Sequence, residues 1–265
     1  MNQLRLCTWN INLGEDRDQL IKSMQGPSDF KNLDVMLLQE ASVKSMDDAK
    51  LIAEKLGKDF VHHQVYVQTP TFKWYSTKRK VKGIPQSSAF IWNKKTFIMK
   101  SIDEFLLPPY NNKKMSPYGK AIYHLSSTQQ RKCIVIEGMF NGKSIRIYNV
   151  HFDVLGPVTK TKQLEEILRD STNRSIVDTE ILAGDFNTYR FLKRPTWKKL
   201  NAITKRDGFI ELTSDIRWTF ADKKIPIKQK LDAIFIKHKL PLHFNSWALD
   251  IIGSDHLPVF ANIDF

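Results

Sequence analysis

Short runs of β-branched and aliphatic residues recur along the chain at 4–11, 34–38, 89–92, 133–137, 145–150, 181–183, 233–236 and 259–263, and each has the length and content of a buried strand. Helical periodicity lies between them. Residues 47–56 place Ala49, Ile52, Ala53 and Leu56 on one face and close at Gly57, a residue suited to a C-cap. Residues 159–169, with Leu164, Ile167 and Leu168, and residues 196–205 form two further helical segments. Strands and helices interspersed without a strict βαβ period predict an α+β layered domain, with sheets inside and helices outside. Two stretches, 69–85 and 102–120, replace any period with Pro, Lys, Asn and aromatic residues and read as long surface loops, a setting that often carries function. No repeat, low-complexity tract or linker interrupts the pattern, so 1–265 reads as a single domain.

What ends these runs carries the chemistry. Asn10 and Asn12 follow the first, Gln39 and Glu40 the second, His151 another, and Asp185 and Asn187 one more. Near the C-terminus the polarity reverses, because Asp232 opens the run 233–236 and Asp255 and His256 come just before the last. A polar residue at the end of one strand and another at the start of an antiparallel neighbour share one rim, so Asn10, Glu40, His151, Asp185, Asn187, Asp232, Asp255 and His256 are expected to converge. Each has a bland reading: Glu40 as a strand-end surface carboxylate, Asn10 as a turn cap, Asp255 as an Asx-turn residue, His151 as a satisfied core-edge histidine. Their joint recurrence at strand ends favours a site. Partly buried carboxylates, amides and histidines are costly unless a cation or mutual hydrogen bonds satisfy them. An oxygen-rich set without cysteine suits Mg²⁺ or Mn²⁺, and two histidines add groups able to bind or protonate a phosphoryl oxygen. Metal-assisted phosphoester hydrolysis is the expected chemistry.

Composition narrows the setting. With 42% hydrophobic and 11% aromatic residues, the 265-residue chain can bury a sizeable core, which excludes disorder, collagen and coiled coil. No apolar run approaches the roughly 20 residues of a spanning helix. Cys7 and Cys133 sit in strand-like runs and suggest no disulfide framework. The N-terminal residues lack the features of a signal peptide, so an intracellular setting is expected, with a secreted form left open should a leader have been removed; a monomer is expected. Lys and Arg number 41 against 28 Asp and Glu, a net charge of +13 that favours a polyanionic partner. Two basic segments interleaved with aromatics, one containing Lys73, Trp74 and Arg79 and the other Tyr189, Arg190, Lys193 and Arg194, are candidates to hold nucleic-acid phosphates and stack on bases, with ordinary solvated surface the competing reading.

The ordered blocks Thr8-Trp9-Asn10, Leu38-Gln39-Glu40, Tyr148-Asn149-Val150-His151, Gly184-Asp185-Phe186-Asn187, Leu231-Asp232-Ala233-Ile234-Phe235 and Ser254-Asp255-His256-Leu257-Pro258-Val259 resemble the motif series of the endonuclease/exonuclease/phosphatase superfamily, also called DNase I-like. The resemblance implies a four-layered α/β/β/α sandwich, two packed mixed sheets flanked by helices, with the site at one rim. It implies that Glu40 holds the divalent metal, with Asn10 and Asp255 beside it. Asp185 would orient or deprotonate the attacking water, and Asn187 would contact the scissile phosphate. His256 would bind that phosphate, oriented by Asp232, and His151 would be a second phosphate-side histidine. A histidine at 151 leans away from the apurinic endonuclease branch. Pancreatic-type deoxyribonucleases support this histidine with a Glu before the strand matching 89–92, where this chain has Gln86, Ser87 and Ser88, and tyrosyl-DNA phosphodiesterases place an Asp where Asn12 stands. The expected function is a Mg²⁺- or Mn²⁺-dependent nuclease or DNA-end phosphodiesterase, with DNA ahead of RNA as partner. The runner-up is a lipid-directed phosphodiesterase or phosphatase, touching a membrane through Phe105, Leu106, Leu107 and Tyr110.

Overall fold

The computed structural model describes residues 3–41, 47–68, 86–109, 131–154, 156–188, 196–221 and 228–265. β1 (Gln3–Asn10) leads through a 3-10 turn (Asn12–Gly14) to α1 (Arg17–Met24), α2 (Ser28–Lys31), β2 (Val35–Ala41) and α3 (Asp48–Leu56). Five strands follow: β3 (Phe60–Gln68), β4 (Gln86–Asn93), β5 (Phe97–Leu106), β6 (Lys132–Phe140) and β7 (Lys143–His151). After α4 (Pro157–Asn173), β8 (Thr179–Asp185), α5 (Thr196–Arg206) and β9 (Ile210–Glu211) come the short strands β10 (Phe220–Ala221) and β11 (Lys228–Gln229). β12 (Asp232–His238), β13 (His243–Ala248) and β14 (Val259–Asp264) end the chain.

The strands form two six-stranded mixed sheets, ordered β13-β14-β1-β2-β4-β3 and β5-β6-β7-β8-β12-β9, while β10 and β11 pair separately. Each large sheet has a parallel pair at its centre, β1 with β2 and β7 with β8, and antiparallel neighbours outside it. Leu4, Leu6, Val35 and Leu37 meet Ile134, Ile136, Ile147 and Ile181 between the sheets. Intervening side chains face outward. Cys7, Trp9, Met36 and Leu38 lie against Leu20, Met24, Phe30 and Ile52 of α1 to α3, and Tyr148, Val150 and Leu182 lie against Leu164, Ile167 and Leu200 of α4 and α5. The result is the expected helix, sheet, sheet, helix layering. Because central strands are covered on both faces, they appear in the sequence as unbroken apolar runs rather than as alternation.

The three expected helices occur: α3 begins one residue later than expected, α4 is longer at both ends and α5 is one residue longer at its C-terminal end. Asp47 caps α3, its side chain accepting from the Lys50 amide at 3.1 Å, and Gly57 follows at φ +132°, as a C-cap without a Cβ allows. Pro157 opens α4, where its missing N–H costs nothing.

One expectation needs correction. Residues 102–106, read as the start of a surface loop, are the second half of β5 and pair with β6 from Ile102↔Ile136 to Leu106↔Lys132. A register shift between Met99 and Ser101 breaks the two-residue period there, which hides the strand. The rest of that stretch from 110, and all of 69–85, lie outside the described residues. Phe105 is half-buried and packs towards Tyr148, Leu107 is buried, and Leu106 is exposed. Among the described residues no helix is long and apolar enough to cross a membrane.

Candidate active site

Strand register assembles the site. His151 at the end of β7 pairs with Asp185 at the end of parallel β8, and Asp185 pairs with Asp232 at the start of antiparallel β12, so three polar residues stand in one row. In the other sheet Asn10 pairs with Gln39, one residue before Glu40. The segment before β14 folds back over this rim, where the Ser254 hydroxyl donates to the Asn10 carbonyl at 2.8 Å and accepts from the His256 amide at 3.1 Å. The Trp9 indole donates to the His256 carbonyl at 2.9 Å.

Glu40 owes its aim to a bulge. Between Leu38↔Ala89 and Ala41↔Ser87, β2 carries one more residue than β4, and Glu40 takes φ +53°. The carbonyls of Leu38 and Ala89, beside the bulge, accept from Nδ2 of Asn149 on the opposite sheet at 3.1 and 3.0 Å, and Asn149 Oδ1 accepts from Gln39 Nε2 at 2.8 Å. Asn12, Leu13 and Asn187 also have left-handed backbone, so departures from ordinary geometry gather around this rim, each at a cost of about 1–3 kcal/mol. Gly184 is required on packing grounds: at φ +144°, a Cβ there would lie 1.9 Å from the Val150 carbonyl oxygen on the neighbouring strand.

Asp185 is the hub. Its Oδ1 accepts from the Asn187 amide at 2.7 Å, and its Oδ2 accepts from Asn10 Nδ2 at 3.1 Å. That same Oδ2 lies 3.8 Å from His151 Nε2 and 3.9 Å from His256 Nε2, and Glu40 Oε1 is 3.6 Å from His151 Nε2. Asn187 donates through Nδ2 to the Phe152 carbonyl at 2.9 Å, and buried Lys160 donates to the Asn187 carbonyl at 2.6 Å, fixing the turn after β8. His256 Nδ1 meets Asp232 Oδ2 at 2.8 Å, and the Thr219 hydroxyl donates to the same oxygen at 2.7 Å.

Electrostatics separates the two histidines. Burial opposes the charged form of His256, but Asp232, Asp185 and Asp255 outweigh it and push its pKa up to about 10. For His151, burial and then the positive Arg131 hold the pKa well below its ordinary value. Glu40 is pushed up to about 7, first by burial and then by repulsion from Asp255, and Asp185 is raised by burial and by Asp232.

The burial of Glu40 and its repulsion by Asp255, offset only in part by Arg131 and His256, are what a hard divalent cation would relieve, and Asn10, Glu40 and Asp255 supply oxygen donors for one. Asp185, Asp232 and His256 also bring possible ligand atoms within 4.8 Å of one another. Asp232 Oδ2 is taken up by His256 and Thr219, and the Asp185 oxygens accept from Asn187 and Asn10, whereas Asp232 Oδ1 is buried without a hydrogen-bond partner.

The rim thus brings together Asn10, Glu40, His151, Asp185, Asn187, Asp232 and His256, with Asp255 close enough to repel Glu40. Lys73, Trp74, Arg79, Tyr189, Arg190, Lys193 and Arg194 lie outside the described residues. Several contributors were not anticipated. Arg131 sits one residue before β6, which runs antiparallel to β7, so the strand-start logic that found Asp232 applies to it equally. Asp153 and Gln163, which hold Arg131, and Thr219 had no comparable signal.

No family model matches the sequence, and no curated protein matches it either. Solved structures do. The chain is similar to an endonuclease/exonuclease/phosphatase family protein from Leptotrichia buccalis at 18% identity and TM-score 0.69, covering 99% of this chain and 100% of that one. It is similar to D. rerio TDP2 complexed with single strand DNA product at 13% identity and TM-score 0.65, covering all of both chains. It is similar to a mannosyl-6-phosphatase from Bacteroides thetaiotaomicron at 15% identity and TM-score 0.66, covering 99% and 100%. The chain therefore has the endonuclease/exonuclease/phosphatase, or DNase I-like, fold.

Proposed function

We propose that this chain is a divalent-cation-dependent phosphoester hydrolase that acts on nucleic acid, with DNA ahead of RNA, as a single-domain monomer. The observation that carries the reading is the position of Asp185 Oδ2, held by Asn10 at 3.1 Å and faced by both histidine Nε2 atoms at 3.8 and 3.9 Å. A carboxylate so placed can orient a water and accept its proton, while the histidines face the space in which a phosphoryl group would sit. The cationic His256 ring, oriented by Asp232, binds a phosphoryl oxygen and offsets charge that grows in the transition state. Asn187 and Asn10 complete the polar wall. Glu40, Asn10 and Asp255 would hold Mg²⁺ or Mn²⁺, which supplies Lewis acidity and charge neutralisation when bound.

Nucleic acid is favoured by the net charge of +13 and by the similarity to a protein complexed with single strand DNA product. Half-buried Phe220 adds an aromatic edge 4.9 Å from the His256 ring, and on the same segment Lys228 Nζ lies 3.9 Å over the Trp218 ring. Half-buried aromatic rings and an exposed lysine beside a phosphate site suit an unpaired base.

The test is hydrolysis by purified protein of single-stranded and duplex DNA, structured RNA, a sugar 6-phosphate, sphingomyelin and a phosphoinositide, with Mg²⁺ and with EDTA. Metal-dependent cleavage of DNA, lost in His256→Ala, is the expected result. Turnover confined to the sugar phosphate or the lipids would overturn the substrate assignment while leaving the catalytic one.

A further inference from the structure

Arg131 is a buried cation that touches the site through one atom. The residue is 2% exposed, and its Nη1 lies 2.8 Å from His151 Nδ1. It is held there from behind. Nε donates to Asp153 Oδ1 at 3.1 Å, Nη1 also reaches Gln86 Oε1 at 3.4 Å, and Gln163 Nε2 donates to Asp153 Oδ2 at 2.7 Å. Arg131, Asp153 and Gln163 are all buried, so this is a packed support and not a surface pair.

A guanidinium has donors and no acceptor. Nδ1 of His151 must therefore present its lone pair, because an Nδ1–H would meet an Arg131 N–H head-on across 2.8 Å. The ring proton is then on Nε2, the buried atom that has no hydrogen-bond partner in the protein and faces Asp185 and Glu40. A carboxylate at the same place would do the opposite and accept from Nδ1–H, as Asp232 does from Nδ1 of His256.

We propose that Arg131 is a positioning residue that locks His151 as the Nε2–H tautomer, making it a fixed hydrogen-bond donor to a substrate phosphoryl oxygen and withholding it from any role as base. This rests on the hydrolase reading for its consequence, but not for the tautomer. The two histidines then divide the work: His256 brings charge, and His151 brings one aimed N–H. No proton leaves His151 in this role.

The test is a long-range ¹H–¹⁵N correlation spectrum of metal-free protein labelled at histidine nitrogen, with His151 assigned by difference from His151→Gln. The expected pattern is a protonated Nε2 and an unprotonated Nδ1 at His151. In Arg131→Met that pattern should give way to a tautomer mixture, with kcat on the preferred substrate lowered about tenfold or more and KM changed less than about twofold, since the lost interaction forms mainly in the transition state. Arg131→Lys, still a donor without an acceptor, should keep the tautomer and most of kcat. A wild-type His151 protonated at Nδ1 overturns the proposal even if no variant folds. So does an Arg131→Met protein with the wild-type tautomer and undiminished kcat. Absence of all hydrolysis would remove the hydrolase reading, and the nitrogen spectrum would still decide the tautomer.

Discussion

The side-chain amide of Asn149 on one sheet donates to the main-chain carbonyl of Leu38 on the other, at 3.1 Å, and so joins the two halves of the sandwich beneath the bulge that aims Glu40. A second bond from the same nitrogen reaches Ala89, and Gln39 donates back to Asn149 Oδ1. Asn149→Leu would remove the bonds to two buried carbonyls and one of the two that Gln39 Nε2 donates, the other going to Thr8 Oγ1 at 3.0 Å. Each such group costs about 1–3 kcal/mol, so a loss of at least about 2 kcal/mol in chemical denaturation is expected. Mg²⁺ affinity, measured by calorimetry, should weaken with it, because Glu40 loses its support.

Glu40 is held at a cost. Its pKa of about 7, against an ordinary 4.5, means that the folded, metal-free protein binds a proton there more readily than the unfolded chain does. The penalty is present above pH 7 and fades as pH falls towards 4.5, so this group makes metal-free protein more stable on mild acidification. Glu40→Gln removes the charge. In the absence of metal it should raise stability at pH 8 by about 1 kcal/mol or more, and it should abolish the rise in melting temperature that Mg²⁺ gives the wild type. Thermal melts with and without Mg²⁺ read both effects.

His256 has the opposite linkage. Its folded pKa of about 10 exceeds the ordinary 6.5, so its contribution is complete below about pH 6.5 and is lost as pH rises through 10. Urea midpoints of metal-free protein should fall across that window and fall much less in Asp232→Asn, which removes the partner 2.8 Å from Nδ1. The same variant should lose about 10²-fold in kcat.

Gly184→Ala tests the packing of the row. The added Cβ would lie 1.9 Å from the Val150 carbonyl oxygen, on the strand that carries His151. Overlap with backbone cannot be relieved by a rotamer change, so a loss above about 4 kcal/mol and little soluble protein are expected in expression and melting trials.

The rim was legible from the sequence because its residues interrupt strands that are otherwise apolar on both faces. His151, Asp185 and Asp232 end or open such strands, and the register puts them side by side. β3, β5 and β13 were not legible. β3 and β13 stand at sheet edges with half-buried or exposed polar residues along them, and β5 adds a register shift within its length, so none shows a continuous apolar run or a clean alternation. Glu40 was visible as a residue, but its left-handed backbone was not, since that depends on Asn149 from a strand more than a hundred residues away. Arg131 shows the same limit in reverse: its position at a strand start was readable, whereas its effect on His151 depends on Asp153 and Gln163 holding it from the far side.

In the proposed cation-dependent phosphoester hydrolysis, Asp185 handles the attacking water. This role is tested most directly by single-turnover cleavage of a single-stranded DNA oligonucleotide by wild type and Asp185→Asn, each with Mg²⁺ and with EDTA. Cleavage by wild type is expected only with the metal, at a rate at least about 10²-fold higher than that of Asp185→Asn under the same conditions. Equal rates for the two proteins, or wild-type cleavage that survives EDTA, would contradict it.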